Sequence, residues 1–190
     1  MMPIDTLVTI VPPPKKPRNA GTAQAWKRIK ERVDIPDELF DLFHRYGSGQ
    51  FTVYMDDGMD VIRLLNVFEK PLLELQTLIG TGFEENKSEN VKLRFFPRSR
   101  YGLFPITESD QSQYLLVDPR DEKKVYVTDK FASGLLKCNY SALDFLCIAF
   151  TGEKELPFVA SLKRKPLIVK VMFHQNPGDA FRKRRNPESV

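Results

Sequence analysis

The 190-residue chain has few of the residue types that announce a chemistry. Its two cysteines, Cys138 and Cys147, are too few for a disulfide scaffold, and their neighbours do not read as metal ligands. Cys147 lies in an apolar helical pattern and reads as a small core residue. There are only two histidines, His44 and His174, and neither has a second His or a Cys at ligand spacing, so a zinc site is not expected. No serine sits in a nucleophile elbow, and no glycine-rich loop precedes a helix in the phosphate-cradling pattern. The chain therefore reads as non-enzymatic, without cofactor or metal. No apolar run approaches the roughly 20 residues that span a bilayer. The longest, Ala142–Phe150 and Pro166–Phe173, suit a core helix and a core strand. Met1–Val11 lacks the positive start and long apolar stretch of a signal peptide, so a cytoplasmic location is expected.

What is present is enough apolar residue to build a core. Hydrophobic residues make up 42% and charged residues 28%, a globular balance. The net charge of +4 conceals an asymmetry. Residues 1–33 hold seven basic and two acidic residues, and residues 160–190 hold eight basic and two acidic. The stretch between them holds 14 basic and 21 acidic residues, net −7. The reading is an acidic body with basic ends.

Periodicity sets the expected elements. Residues 1–21 are rich in proline (Pro12, Pro13, Pro14, Pro17) and are expected to be an extended or loosely attached N-terminal extension. Trp26, Ile29 and Val33 recur at helical spacing. Pro36 opens a second helix whose apolar face is Leu39, Phe40, Phe43 and Tyr46, and Gly47 stops it. Phe51–Tyr54 alternates as a strand, Asp57-Gly58 is a tight turn, and Val61–Phe68 is a second strand. A short helix runs from Pro71 to Gly80. Residues 84–90 are an acidic loop, Val91, Leu93 and Phe95 alternate as a strand, and Tyr101–Ile106 is another. Tyr114–Val117 and Lys124–Thr128 form a hairpin across Asp118-Pro119-Arg120-Asp121-Glu122. Ser141 caps a helix that Gly152 ends, and Leu167–Phe173 is a late strand. The fold class this order implies is α+β: a mixed, mainly antiparallel sheet packed by helices in one domain over 22–152, followed by a C-terminal extension over 153–190.

The run Trp26-Lys27-Arg28-Ile29-Lys30 through Ile35-Pro36-Asp37-Glu38-Leu39-Phe40 to Tyr46-Gly47-Ser48-Gly49 resembles the opening of the SUKH superfamily. Tyr101–Ile106, Gln113–Asp118, Val125–Val127 and the Phe145-Leu146 pair of the Ser141–Phe150 helix follow in that family's order. The resemblance covers roughly residues 22–152. It implies a SUKH-like fold without catalysis. It also implies the role of a bacterial immunity protein that neutralises a cognate toxin domain, such as a nuclease or deaminase, or that of a scaffolding regulator like the fungal relatives. The proline-rich start and basic extension depart from the family's usual pattern.

Two candidate surfaces follow. Asp56, Asp57, Asp60, Glu84, Glu85 and Glu89 fall in predicted turns or loops and are the acids expected to meet a basic face of a toxin partner. Met55 and Met59 interrupt the aspartate trio, whose spacing does not match a calcium loop. The alternative is nucleic-acid attachment through Arg182, Lys183, Arg184 and Arg185, since such clusters neutralise phosphates.

Overall fold

The computed structural model describes residues 3–56, 58–69, 74, 76–77, 79–81, 94–96, 99–129, 135–154, 156 and 168–176. Four helices are named here in chain order: α1 (Pro3–Ile10), α2 (Ala23–Arg32), α3 (Glu38–Tyr46) and α4 (Ala142–Thr151). Seven strands accompany them: β1 (Gly49–Met55), β2 (Met59–Leu64), β3 (Phe104–Ser109), β4 (Gln113–Val117), β5 (Val125–Asp129), β6 (Leu135–Cys138) and β7 (Ile168–His174). They form one sheet in the order β6-β5-β4-β3-β2-β1-β7, and every neighbouring pair is antiparallel. The α+β architecture is as expected, with no parallel pair of strands within this sheet.

Alternation along the strands divides the core between the two faces of the sheet. Phe51 and Val53 on β1, Ile62 and Leu64 on β2, and Leu115 and Val117 on β4 join the larger cluster, which the helices cover. Tyr114 and Leu116 point the other way. They pack with Leu65, Phe95, Leu103 and Tyr126 in a smaller cluster that Ile79 partly covers. Glu74, Gln76, Thr77, Ile79, Gly80 and Thr81 are helical, so Gly80 does not close that helix as expected. The Thr81 hydroxyl bonds back to the Thr77 carbonyl at 3.0 Å, carrying the helical turn past it.

Residues 3–21 are not a loose extension. Pro3 takes the first position of α1, where its missing N–H costs nothing. Ile4, Leu7 and Val11 lie on one face at helical spacing, and Leu7 and Val11 are fully buried. The prolines follow this helix rather than interrupt it. At the other end, β7 pairs with β1 over Gln50–Met55, so the fold runs well past residue 152.

Several boundaries move for local reasons. The second strand stops at Leu64 because Asn66 turns the chain: its side-chain oxygen accepts the Phe68 N–H at 2.9 Å. The expected Tyr101–Ile106 strand lies over Phe104–Ser109, since Tyr101 and Gly102 are still turning. Pro105 has no N–H to give the ladder, and the β3–β4 register slips between Pro105 and Thr107. Of the expected Val91–Phe95 strand, Phe95 makes only an isolated bridge to Leu103, and residues 91–93 lie outside the described residues. The short strand β6 is an element that sequence periodicity does not reveal. Among the described residues no helix is long and apolar enough to cross a membrane.

Candidate functional site

Antiparallel pairing brings the β1–β2 and β3–β4 turns to the same end of the sheet. Asp56 is exposed at the first turn, which the Met55 N–H closes onto the Gly58 carbonyl at 2.8 Å. Asp60 is not a turn acid. It stands within β2 opposite Val53 on the core side of the sheet, is only 9% exposed, and receives the Gln111 amide at 3.5 Å. The strand simply begins two residues earlier than its apolar pattern suggests, at Met59 rather than Val61. Asp57, Glu84, Glu85 and Glu89 lie outside the described residues, as do Arg182, Lys183, Arg184 and Arg185.

Sequence reasoning passes over Asp110. It occupies the β3–β4 turn, is exposed, and is locked to β2: its N–H donates to the Val61 carbonyl at 2.9 Å, and its side chain accepts the Val61 N–H at 3.2 Å. Partial burial pushes its carboxyl upward, against the pull of those backbone N–H groups. The signal for it was Ser109-Asp110-Gln111-Ser112, turn chemistry between two alternating strands. This end of the sheet thus presents Asp56 and Asp110 to solvent, with Asp60 set back between them. Among the described residues, no group of three or more His, Cys, Asp or Glu side chains could hold a metal ion.

The opposite end of the sheet carries a polar cleft of about 170 Å³. Arg18, Ser48, Gly49, Arg63, Leu64, Glu69 and Gln175 line it. Its walls are tied together by short bonds from four separate parts of the chain. The Ser48 N–H donates to the Arg18 carbonyl at 2.7 Å, and the Arg18 N–H donates to the Gln175 side-chain oxygen at 2.9 Å. The Gln175 amide then donates to the Lys16 carbonyl at 3.1 Å. The Ser48 hydroxyl donates to Glu69 at 2.7 Å and accepts the Asn19 amide at 3.0 Å and the Asn66 amide at 3.4 Å. Its proton and both lone pairs are occupied, so this hydroxyl brackets loops together. Gly47, at φ 67°, lets the Arg18 backbone pass so closely that a Cβ would run into the Arg18 carbonyl.

The other reactive groups are held elsewhere. His44 stacks on Phe40, ring centroids 5.3 Å apart, and its Nδ1 lies 3.3 Å from the Gly21 carbonyl. Both thiols are buried, and burial pushes Cys147 up to about 11. Between α2 and α3, Asp37 accepts the Trp26 indole N–H and the Lys30 ammonium, each at 2.9 Å. These two bonds, the indole first, hold its carboxyl below the usual carboxylate range. Lys27, Arg28 and Arg32 of α2 remain exposed. The arrangement offers charged and hydrogen-bonding surfaces at two opposite ends of the sheet. No family model matches this chain, and no curated protein or solved structure does either.

Proposed function

We propose that this protein acts by binding another protein and that the partner is a toxin domain which it neutralises, docking through the acidic end of its sheet. The observation that carries the reading is the placement of Asp56 and Asp110 on adjacent turns at one end of the sheet, both exposed and both held by strand pairing. Carboxylates fixed on a rigid scaffold lose little freedom on docking and steer a basic partner during encounter. The order of elements supports the same reading: α2, α3, β3, β4, β5 and α4 follow one another in the order on which the SUKH resemblance rests.

Affinity capture from native lysate, with and without nuclease treatment, supplies the partner. Binding is then compared between the parent protein and an Asp56→Lys/Asp110→Asn variant at two salt concentrations. Asparagine at 110 keeps an acceptor for the Val61 N–H. The expected result is a stoichiometric protein partner that survives nuclease, binds the variant at least tenfold more weakly, and shows a shallower salt dependence with it. A partner whose affinity and salt slope do not change would rule out this end of the sheet. Partners that vanish with nuclease would move the function to the basic termini.

A further inference from the structure

The cleft at the other end of the sheet takes no part in that docking. We propose that it is a receptor for one oxyanion group, a phosphate or a carboxylate, held between the guanidinium groups of Arg18 and Arg63. Three features of the cleft carry this. First, its positive charge is left over. Arg18 spends one N–H on the neutral Asn176 side-chain oxygen at 2.8 Å, and the Arg63 side chain makes no ion pair or hydrogen bond among the described residues. Second, the one carboxylate lining the cleft, Glu69, accepts the Ser48 hydroxyl and pairs with neither arginine, and its single charge set against two guanidinium groups leaves the cleft net positive. Third, the cleft is preorganised. The Arg18 backbone is fixed from both sides by Ser48 and Gln175, and Gly49 lets β1 approach so near the end of β7 that a Cβ would strike the His174 carbonyl.

A guanidinium fork matches the geometry of carboxylate and phosphate oxygens, and two forks lining one concave site can engage different oxygens of the same group. The space is suited to a single such group rather than to an extended ligand. Within the β2–β3 ladder, Glu108 lies opposite Arg63, but its carboxylate accepts the Tyr114 hydroxyl at 2.9 Å and makes no ion pair with Arg63.

The test is a titration of the full chain with inorganic phosphate and, separately, with acetate, at constant ionic strength. The readout is the arginine side-chain Nε–Hε NMR signals. Arg120, already chelated by Asp118 at 3.0 and 3.1 Å, serves as the internal control. Expected are saturable shifts at Arg18 and Arg63 with little change at Arg120, and a phosphate affinity at least tenfold weaker in Arg63→Gln. Arg63→Lys keeps the charge but loses the fork, and it should fall between the two. A response to phosphate alone assigns the site to phosphate; a comparable response to acetate assigns it to carboxylates. Shifts with neither anion, or shifts at Arg18 that persist undiminished in Arg63→Gln, would overturn the proposal. Arg63 is exposed and unpaired among the described residues, so its substitution leaves the fold intact, which a thermal melt verifies.

Discussion

The Tyr46 hydroxyl, at the end of α3, donates to the carbonyl of Val11, just beyond α1, at 2.6 Å. The bond is buried, and burial raises the phenol far above its ordinary value, so it stays protonated at any working pH. It gives a partner to a carbonyl left over at the helix end and fixes where the N-terminal helix sits. Tyr46→Phe leaves that carbonyl unsatisfied, and the expected cost is about 1–2 kcal/mol. Urea unfolding should show a lower midpoint with an unchanged slope.

Leu7 is fully buried between α1 and the rest of the core. Leu7→Ala should cost about 2–4 kcal/mol, the usual range for a core leucine whose surroundings relax only in part. An N-terminal segment that merely trailed from the domain would show no change in thermal melting.

Glu38 opens α3, and its carboxylate accepts the Ala142 N–H at the start of α4, 3.1 Å away. Burial pushes its carboxyl up to about 7, and Asp144 and Glu122 add to the effect, while the Ala142 and Ser141 bonds oppose it. The folded protein therefore holds this proton more tightly than the unfolded chain does. The resulting stability is fully present below about pH 4.5 and is lost as pH rises through about 7. Glu38→Gln keeps an acceptor for Ala142 without the charge. Its expected gain over the parent at pH 8 is on the order of 1–2 kcal/mol after allowance for partial solvent screening, with little difference near pH 4. Denaturant melts at both pH values measure it, and equal pH profiles for the two proteins would refute the assignment.

Gly47 and Gly152 both have φ of 67°, yet their replacement should not cost the same. At Gly152, in the left-handed cap of α4, an added Cβ meets only the Ile168 side chain at 3.3 Å. Alanine there should cost about 1 kcal/mol. At Gly47 the Cβ would meet the Arg18 backbone, which cannot move without breaking its bonds to Ser48 and Gln175. Gly47→Ala should lose roughly 3 kcal/mol or more. Thermal melts of the two variants side by side decide the point.

Cys138 and Cys147 are each 9% exposed, and burial raises both thiols. At pH 8 neither should react with a thiol-exchange reagent until the protein opens. Cys147 faces the Pro3 carbonyl at 3.8 Å, so Leu7→Ala should speed its modification more than that of Cys138. Equal acceleration at both sites would show global rather than local opening.

Local chemistry alone determined much of this protein. The β4–β5 hairpin was legible because Asp118-Pro119 is turn chemistry whose bonds are local: Asp118 accepts the Arg120 N–H at 3.0 Å. Ser141 and Gly152 bounded α4 because caps act within a few residues, and Ser141 does accept the Asp144 N–H at 3.2 Å. The α+β class followed from alternation and helical spacing in the same way. What only the tertiary structure decided rests on partners far apart in the chain. The helix α1 is held by Tyr46 and the core rather than by its own length. Asp60 reads as a turn acid until the register sets it opposite Val53 on the core side of the sheet. Asp110 joins Asp56 only because β2 and β3 pair antiparallel. The Arg18–Arg63 cleft assembles residues from positions 18 to 175, and no spacing along the chain encodes such a meeting.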